Sequence, residues 1–573
     1  MRAGAEYFLE PSEPAQRRYE AMRAYFVDGL VAGEVAARFG YSAASVHQMA
    51  SELRAGSAQY FRSSKPGPRS ARKADRVRDR VLRLRAQDRS VQEIAAALAA
   101  AGTPVSAQTV WTILTAEGIE RLPRRAVAQR AAAPRLAAIK AQALAGWPAA
   151  TTVRCDHAGL FLLAPAVADL GLADLAGSCG YPSTSVLSAW QSLGSLLLHK
   201  CARTPRASHA HALADDPGLA LLMGLTALPK ATHLTSYSYR ARRSSSERLL
   251  AGVTGRMREL GLATGTGGFN LDFHAIRHHG TDVPLEKHYV PARSQRTRAV
   301  LTFFAQDHAS QEMVYANAEL TKAEQAREVI AFADYWQQVS GSDPGLLVFD
   351  SKLTTYKILD ELTARGIRWL TLRERGPRLI AELEALPDSD WTKVRVDRRG
   401  RYREPEIHDE LLRIKGIDAP VRQLAVRNIG REHPTMLITN AHELTVKQLF
   451  ARYAERMTIE NELDAYIQGF HLNALSSGLP LNIDLDATLT VIAGNLYRLL
   501  ARRLARYERA TPDKLWRHFL DATGTVHTTP DALTVDLNVR TYHPVLIHAG
   551  FADTPTSIPW LDGRELRFRF PPR

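Results

Sequence analysis

The chain has 573 residues, which is too long for a single hydrophobic core and indicates about three or four domains. Its 45% hydrophobic and 23% charged residues are ordinary for a globular protein, whereas its formal net charge of +14 is not. A basic balance of this size favours a polyanionic partner, of which nucleic acid is the first candidate, although an Arg-rich proteome would give the same charge.

The cysteine count and the apolar pattern further restrict the class of protein. There are only three cysteines and no C-x2-C pair, so neither a disulfide framework nor a zinc site is expected. No apolar stretch is long enough to span a bilayer, and the N-terminus lacks the pattern of a signal peptide. These features predict a cytoplasmic protein with no membrane partner.

Residues 1–60 carry the pattern of a helix-turn-helix DNA-binding unit. An amphipathic segment is followed by two short helical patterns, with Gly40 at the turn between them and Ser42 as the N-cap of the second helix. In such a unit the second helix enters the major groove, where its exposed side chains contact base edges. The candidates for these contacts are Ser45, His47 and Gln48.

The same pattern returns in residues 61–120. A capping box that begins at Ser90 opens one helix, and a second helix after Ser106 offers Gln108 and Thr109 to base edges. Either unit alone is equally compatible with a plain three-helix bundle. Two such units favour DNA binding over a long site that is read in two grooves.

The connector between the two units is strongly basic. Residues 61–90 hold eleven Lys or Arg against three Asp, and Lys65 and Arg69 are candidate DNA contacts in an extended linker. Residues 121–150 are predicted to be a second basic linker, which either follows the DNA backbone or is simply solvated.

Residues 151–265 are rich in apolar helical patterns. Val186, Trp190, Leu193 and Leu197 recur at i, i+4, i+7 and i+11, which predicts the core stripe of a helix. We therefore expect a helical accessory or dimerisation domain here.

Residues 266–376 predict the first part of a mixed α/β catalytic core. Two short apolar runs, each bounded by Gly or Pro, read as buried strands that carry Asp272 and Asp350. The elements follow in the order three strands, helix, strand, helix, strand.

Residues 441–510 predict the second part of this core, with a helix that carries Glu460. Tyr453, Arg456 and Glu460 fall at i, i+3 and i+7, so all three are expected on one face of that helix. Two aspartates from strands and one glutamate from a helix provide the oxygen ligands that two Mg²⁺ ions need for phosphodiester chemistry.

Other acidic residues compete for these three positions. Asp282 and Asp307 are rivals for the first carboxylate and Asp343 for the second. Glu455 and Glu462 lie on other faces of the Glu460 helix, and Asp464 is a weaker rival one turn later. Nearby imidazoles could suggest zinc, although at such a site they more often contact substrate or fill space. They are His274, His278 and His279.

These residues carry a resemblance to a known family. The Tyr-x2-Arg-x3-Glu spacing ending at Glu460, preceded by Asp-Phe-His at Asp272 and by Val-Phe-Asp-Ser-Lys-Leu-Thr-Thr-Tyr around Asp350, resembles the DDE transposases of bacterial insertion sequences. The resemblance runs from about Thr152 to the C-terminus and implies an RNase H-like core. One position departs from it, because Ile467 stands where the family often has a DNA-contacting Lys.

The resemblance also implies a β-rich insertion in the core, near the cut DNA, and residues 377–440 have that pattern. Trp391 within it is a candidate for stacking on a flipped base, although Trp is more often a core residue. Residues 511–573 predict a small C-terminal unit. The expected fold is therefore multidomain α+β, with tandem helix-turn-helix units, a helical accessory domain and an RNase H-like core with its insertion.

The resemblance assigns roles to the candidate residues. Asp272, Asp350 and Glu460 would bind two Mg²⁺ ions, for which Mn²⁺ could substitute, and Tyr453 and Arg456 would position DNA phosphates. For Arg456, an ion pair that merely orients a carboxylate is the alternative.

The expected function is cut-and-paste transposition by a nucleoid-associated bacterial protein. It would bind terminal inverted repeats, cleave at the element ends and join the 3′-hydroxyl to target DNA, as a homodimer or higher assembly on DNA. Two alternatives stay open at this point. One is a catalytically silent DNA-binding regulator, and the other is an RNase H-like nuclease without strand transfer.

Overall fold

The computed structural model describes residues 6–11, 13–55, 72–86, 89–119, 141–206, 210–262, 267–277, 285–290, 295–350, 353, 355–395, 404–474 and 480–571. The chain forms two compact units, Met1–Ala137 and Ala138–Arg573. About 48% of it is helix and 18% is strand in mixed sheets, which agrees with the expected α+β class. Five candidates from the sequence lie outside the described residues: Lys65, Arg69, His278, His279 and Asp282.

The described part of the first unit is entirely helical. Its helices are α1 (Glu6–Leu9), α2 (Pro14–Phe26), α3 (Ala32–Phe39), α4 (Ala43–Arg54), α5 (Arg72–Arg85), α6 (Val91–Ala100) and α7 (Ala107–Ala116).

These helices build two small hydrophobic cores. Helices α2 to α4 pack around buried side chains that include Met22, Val35 and Val46. Gly40 ends α3 with a positive φ of 71°, a conformation that glycine adopts without steric cost, and the Ser42 hydroxyl caps α4. Helices α5 to α7 pack around a second core that includes Val81, Leu98 and Leu114.

The second unit combines fifteen described α-helices with fifteen described strands. The helices are α8 (Ala164–Asp169), α9 (Leu172–Ser178), α10 (Ala189–Cys201), α11 (His211–Ala214), α12 (Pro217–Leu222), α13 (Ala231–Ser238), α14 (Arg243–Glu259), α15 (Glu328–Ser340), α16 (Tyr356–Ala364), α17 (Pro377–Glu384), α18 (Val446–Glu455), α19 (Met457–Phe470), α20 (Pro480–Arg503), α21 (Pro512–Leu515) and α22 (His543–His548). The strands are β1 (Thr152–Cys155), β2 (Gly268–Arg277), β3 (Lys287–Val290), β4 (Gln295–Asp307), β5 (Met313–Asn317), β6 (Leu346–Val348), β7 (Arg368–Leu372), β8 (Thr392–Lys393), β9 (Glu406–Leu412), β10 (Val421–Arg427), β11 (Thr435–Thr439), β12 (Gly524–Thr528), β13 (Ala532–Leu537), β14 (Thr556–Ile558) and β15 (Arg564–Arg569).

The larger sheet has ten strands in the order β3-β4-β2-β6-β7-β11-β10-β9-β8, with β5 paired to β4. Strand β2 is antiparallel to β4, and β4 is antiparallel to β5. On its other side β2 is parallel to β6, and β6 is parallel to β7. The five strands β5-β4-β2-β6-β7 thus form a mixed sheet whose third member carries Asp272.

Residues 377–440 continue this sheet rather than stand apart from it. Strand β11 pairs antiparallel with β7, and β10 and β9 follow in antiparallel order. The helix-and-strand core and the predicted insertion therefore share one continuous hydrogen-bonded sheet.

The smaller sheet joins the start and the end of the second unit, in the order β1-β12-β13-β15-β14. Strand β1 pairs with β12, so residues 151–265 and residues 511–573 share a sheet as well as one hydrophobic core. The expected core stripe is shorter than predicted, because Ser188 caps α10. Val186 precedes this helix and is exposed, whereas Trp190, Leu193 and Leu197 are buried.

Among the described residues, no single helix is long and apolar enough to cross a membrane. The helix pair Ala158–Asp169 and Leu172–Ser178 passes the same test of length and composition only when taken together, with a bend of 59° between its members.

Candidate active site

Asp272 and Asp350 lie at the same level of two neighbouring parallel strands. In the register of β2 and β6, Asn270 is opposite Val348, and each aspartate follows two residues later. The Asp272 side chain is 19% exposed, and its Oδ1 accepts a hydrogen bond of 2.9 Å from the backbone N–H of Phe273. The strand pairing therefore directs both carboxylates to one edge of the sheet.

Glu460 reaches the same place from a helix. It lies in the first turn of α19, where the helix dipole favours a negative charge. Arg456 contacts a Glu460 carboxylate oxygen through Nη2 and lies 3.6 Å from Asp272 Oδ2 through Nη1. One guanidinium thus bridges the strand carboxylate and the helix carboxylate.

The helix that was predicted to carry Tyr453, Arg456 and Glu460 is in fact two helices. Helix α18 ends at Glu455 and α19 begins at Met457, with Arg456 at the junction. The Thr458 hydroxyl donates to the Glu455 carbonyl at 2.8 Å, and the Ile459 N–H turns to the Arg456 carbonyl instead. This local change of hydrogen-bond partners accompanies the break.

The electrostatics indicate that the three carboxylates form one cluster. The pKa of Asp272 is raised to about 6, chiefly by burial and also by the negative charges of Glu460 and Asp350, against the opposing effect of Arg456. Burial also raises the pKa of Tyr453 to about 12, so its hydroxyl stays neutral and able to donate a hydrogen bond. The Tyr453 ring lies below the Arg456 guanidinium, with 5.8 Å between Cζ and the ring centroid.

The donors at this site suit a divalent cation in type, because hard carboxylate oxygens are the ligands that Mg²⁺ prefers. Among the described residues, however, no three His, Cys, Asp or Glu side chains converge closely enough to hold a metal ion. The Arg456 guanidinium lies between Asp272 and Glu460 and supplies the neutralising charge there. An ion at this site would compete with Arg456 for these two carboxylates.

A buried polar network holds the strand against the helices. Asn270 Nδ2 donates to Gln306 Oε1 at 3.1 Å and to Thr458 Oγ1 at 3.0 Å, and Thr458 Oγ1 also lies 2.9 Å from Gln306 Oε1. Arg452 Nη1 donates to Asn270 Oδ1 at 2.7 Å. Asn270 is two residues before Asp272, and Thr458 is two residues before Glu460. The network therefore fixes the position of one candidate ligand relative to the other.

His274 lies two residues after Asp272 on β2 and therefore on the same face of the strand. Its Nε2 lies 2.6 Å from Asn473 Oδ1, and burial lowers its pKa, so the imidazole is neutral at physiological pH. The charge of Asp464 acts on this ring in the opposite direction. Asp464 therefore lies near His274, one turn along α19 from Glu460.

Four of the rival carboxylates that the structure describes form contacts with other residues. Asp307 Oδ1 accepts the backbone N–H groups of Ala309 and Ser310, and Asp343 forms a 2.8 Å ion pair with Arg365. Glu455 pairs with His308 at 3.2 Å, and Glu462 contacts Arg498. These contacts engage Asp307, Asp343, Glu455 and Glu462 with other parts of the fold, whereas Asp464 stays a rival on α19.

A groove of about 870 Å³ opens beside the cluster. Asp350, Tyr453 and Arg456 line it together with apolar side chains that include Phe450 and Met457. Three further arginines line it and were not singled out in the sequence: Arg373, Arg375 and Arg431. The Arg-Glu-Arg run directly after β7 was the available signal for two of them.

The structure places Trp391 in a core rather than in this groove. Its ring is 7% exposed, packs with Leu383 and Met436, and lies under the Arg427 guanidinium at 4.4 Å. The side chain could stack on a base only by leaving this cluster, so the structure favours the alternative interpretation as a core residue. Ile467, at the position of the family Lys, is half-buried and packs on the main core.

The predicted base-contacting residues all lie on α4 and α7 of the first unit. His47, Gln48 and Gln108 are exposed, and Ser45 and Thr109 are half-buried. Ser45 is tied to the Ser42 hydroxyl at 2.8 Å, and the amide of Gln48 is held by Glu52 at 3.1 Å.

Comparison with known proteins adds no family to this description: no protein-family model matches the chain, and no curated protein matches it.

Proposed function

We propose that this chain is a DDE-type DNA transposase that binds terminal inverted repeats, cleaves at the element ends and joins the 3′-hydroxyl to target DNA. The proposal rests on the placement of three carboxylates from separate elements at one end of the sheet. Asp272 on β2 is level with Asp350, which follows β6, and Arg456 bridges Asp272 to Glu460. The mixed strand order β5-β4-β2-β6-β7 supports an RNase H-like core, because that fold places its carboxylates on the central strands.

In this proposal Asp272, Asp350 and Glu460 would hold two Mg²⁺ ions, for which Mn²⁺ could substitute. When bound, such ions activate a nucleophile and stabilise the charge that develops on the phosphodiester. The raised pKa of Asp272 favours this role, since a carboxylate that is costly to ionise beside two like charges gains from a nearby cation.

The remaining side chains of the site suit a DNA strand. The planar guanidinium of Arg456 can donate two parallel hydrogen bonds to a phosphate, and the neutral Tyr453 hydroxyl can donate a third. The arginines of the groove, Arg373, Arg375 and Arg431, would neutralise neighbouring phosphates. The net charge of +14 and the helical bundles of the first unit are consistent with double-stranded DNA as the partner.

Two protomers or more would be needed to bring two element ends together, and the nucleoid would be the place of action.

The test is cleavage of labelled duplexes that carry the DNA bordering the chain's own coding region, with Mg²⁺, for wild type and Asp350→Ala. Nicking by wild type alone, followed by joined products, would support the proposal. Nicking without joining would indicate the nuclease, and tight binding without nicking would indicate the regulator.

A further inference from the structure

Helix α7 presents an uncharged face to solvent. None of its ten residues is charged, and its four most outward side chains recur at i, i+3, i+4 and i+7. They are Gln108, Trp111, Thr112 and Thr115. Trp111 is 41% exposed, which is unusual for the largest apolar side chain in a small bundle with its own packed core. This exposed surface is called the α7 face below.

The hydrogen bonds of the two threonines make the α7 face more apolar than its sequence suggests. The Thr112 hydroxyl donates to the Gln108 carbonyl at 2.9 Å, and the Thr115 hydroxyl donates to the Trp111 carbonyl at 2.9 Å. Both hydroxyl protons are therefore used within the helix. The face offers two methyl-bearing side chains, one indole ring and the amide of Gln108.

The basic helix α5 packs against α7 in the same bundle. Arg78 of α5 contacts Glu117, the residue that follows α7, and so ties the basic helix to the end of α7. Arg80 and Arg83 of α5 and Arg89 before α6 are exposed. A bundle that combines an apolar face with exposed cations on a packed helix is chemically complementary to a DNA groove, where base edges lie between two rows of phosphates.

We infer that the α7 face recognises A·T base pairs in double-stranded DNA through the methyl groups of thymine. In the major groove only thymine presents a methyl group, and apolar side chains distinguish it by contact. The Gln108 amide matches the adenine of the same base pair, which offers one donor and one acceptor there. Helix α4 offers less for this purpose, since Glu52 holds Gln48 and adds a negative charge.

The inference rests on the DNA-binding half of the proposed function and does not depend on catalysis. It is tested with the full-length protein in EDTA, by measuring affinity for alternating dA-dT, dA-dU and dG-dC duplexes of equal length at one salt concentration. The dA-dU duplex differs from the dA-dT duplex only by the thymine methyl groups. We expect wild type to bind dA-dT more tightly than dA-dU by about fourfold for each contacted methyl.

Two variants assign the preference to this helix. In Trp111→Ala the ratio of dA-dT to dA-dU affinity should fall towards one, because the methyl contacts are lost. In Gln108→Ala, which alters a fully outward amide, the methyl preference should persist while the preference for dA-dU over dG-dC weakens.

Three results would overturn the inference. Equal affinity of wild type for dA-dT and dA-dU would do so while leaving DNA binding intact. An unchanged ratio of dA-dT to dA-dU affinity in Trp111→Ala would also overturn it. So would a change in the oligomeric mass of that variant without a change in this ratio, because Trp111 would then be assigned to a protein contact. Failure to bind any duplex would overturn this inference and the DNA-binding half of the proposed function together.

Discussion

Arg452 Nη1 donates a 2.7 Å hydrogen bond to Asn270 Oδ1, across 182 residues of chain. Asn270 lies two residues before Asp272 on β2. Arg452 lies on α18, about one helical turn before Arg456. Burial lowers the pKa of Arg452 to about 10, which still leaves it charged at neutral pH. A buried, charge-assisted bond thus sets the distance between the two halves of the candidate site.

Removing the Asn270 amide should damage both stability and cleavage. Asn270→Leu leaves Arg452, Gln306 and Thr458 without their shared partner, and we expect a loss of roughly 2–4 kcal/mol in the free energy of unfolding. DNA cleavage should fall by at least about tenfold, because Glu460 would no longer be held against Asp272. Denaturant titration and cleavage rates of the variant measure the two effects.

The exposed Asn461 on α19 provides the matched control. Asn461→Leu makes the same chemical change one helix residue after Glu460 and should leave stability within about 0.5 kcal/mol of wild type. A folded Asn270→Leu variant with full cleavage activity would contradict the positioning role.

The raised pKa of Asp272 predicts that replacing its carboxyl by a neutral group increases the stability of the protein in a pH-dependent way. Its pKa is about 6 in the fold against an ordinary value of 3.8, so its contribution to stability is present below about pH 4 and is lost as pH rises through 6. Asp272→Asn should therefore raise the Tm of the metal-free protein at pH 8 and leave it unchanged at pH 4. The upper bound is roughly 3 kcal/mol, a figure that already includes the opposing effect of Arg456.

The control is Asp388→Asn, since the Asp388 side chain is 93% exposed. Its Tm should differ little from wild type at either pH. An Asp272→Asn variant that is less stable than wild type at pH 8 would mean that the ion pair with Arg456 outweighs the burial of the charge.

Substitutions of Arg456 separate its two possible roles. Arg456→Ala should lower cleavage by about 10²–10³-fold, and Arg456→Lys should recover only part of this, because an ammonium keeps the charge without the bidentate geometry. DNA affinity in EDTA then distinguishes the roles. A phosphate contact requires weaker binding by Arg456→Ala, whereas equal binding would restrict Arg456 to orienting Asp272 and Glu460.

Local patterns were sufficient to predict the candidate ligands but not what holds them together. Apolar runs that end near an acidic residue mark Asp272 and Asp350, and helical spacing links Arg456 to Glu460. The break at Arg456 coincides with a hydrogen bond from the Thr458 hydroxyl, which competes for a backbone carbonyl. Such a competition is decided by side-chain conformation, which the residue order does not specify.

The longer-range features were beyond prediction for a different reason. The pairing of β1 with β12 and the addition of β11 to β7 join segments that are far apart in the chain, and neither strand carries a signal of its partner. The bond between Arg452 and Asn270 belongs to the same class. The sequence around Trp391 fits both a core position and a role in base stacking. Only its packing with Leu383 and Met436 distinguishes these two roles.

Neutralising the groove arginines should reduce the salt dependence of DNA binding. Each phosphate contact contributes about 0.9 to the slope of log K against log salt for duplex DNA. Arg375→Gln and Arg431→Gln should each lower the slope by about that amount if each side chain contacts one phosphate. The comparison is Arg378→Gln, whose side chain is 93% exposed on α17 and pairs with Glu382. An equal decrease in all three variants would indicate a general charge effect rather than a DNA path through the groove.

Two sets of carboxylate substitutions, compared in one Mg²⁺-dependent cleavage assay, test directly whether Asp272, Asp350 and Glu460 form one site. The first set is Asp272→Asn, Asp350→Asn and Glu460→Gln, and the second is Asp343→Asn, Glu455→Gln and Asp464→Asn. We predict that each member of the first set loses at least about 10³-fold in cleavage rate while retaining DNA binding, and that the second set stays within about tenfold of wild type. Full cleavage activity in any folded member of the first set would contradict a single site built from these three residues.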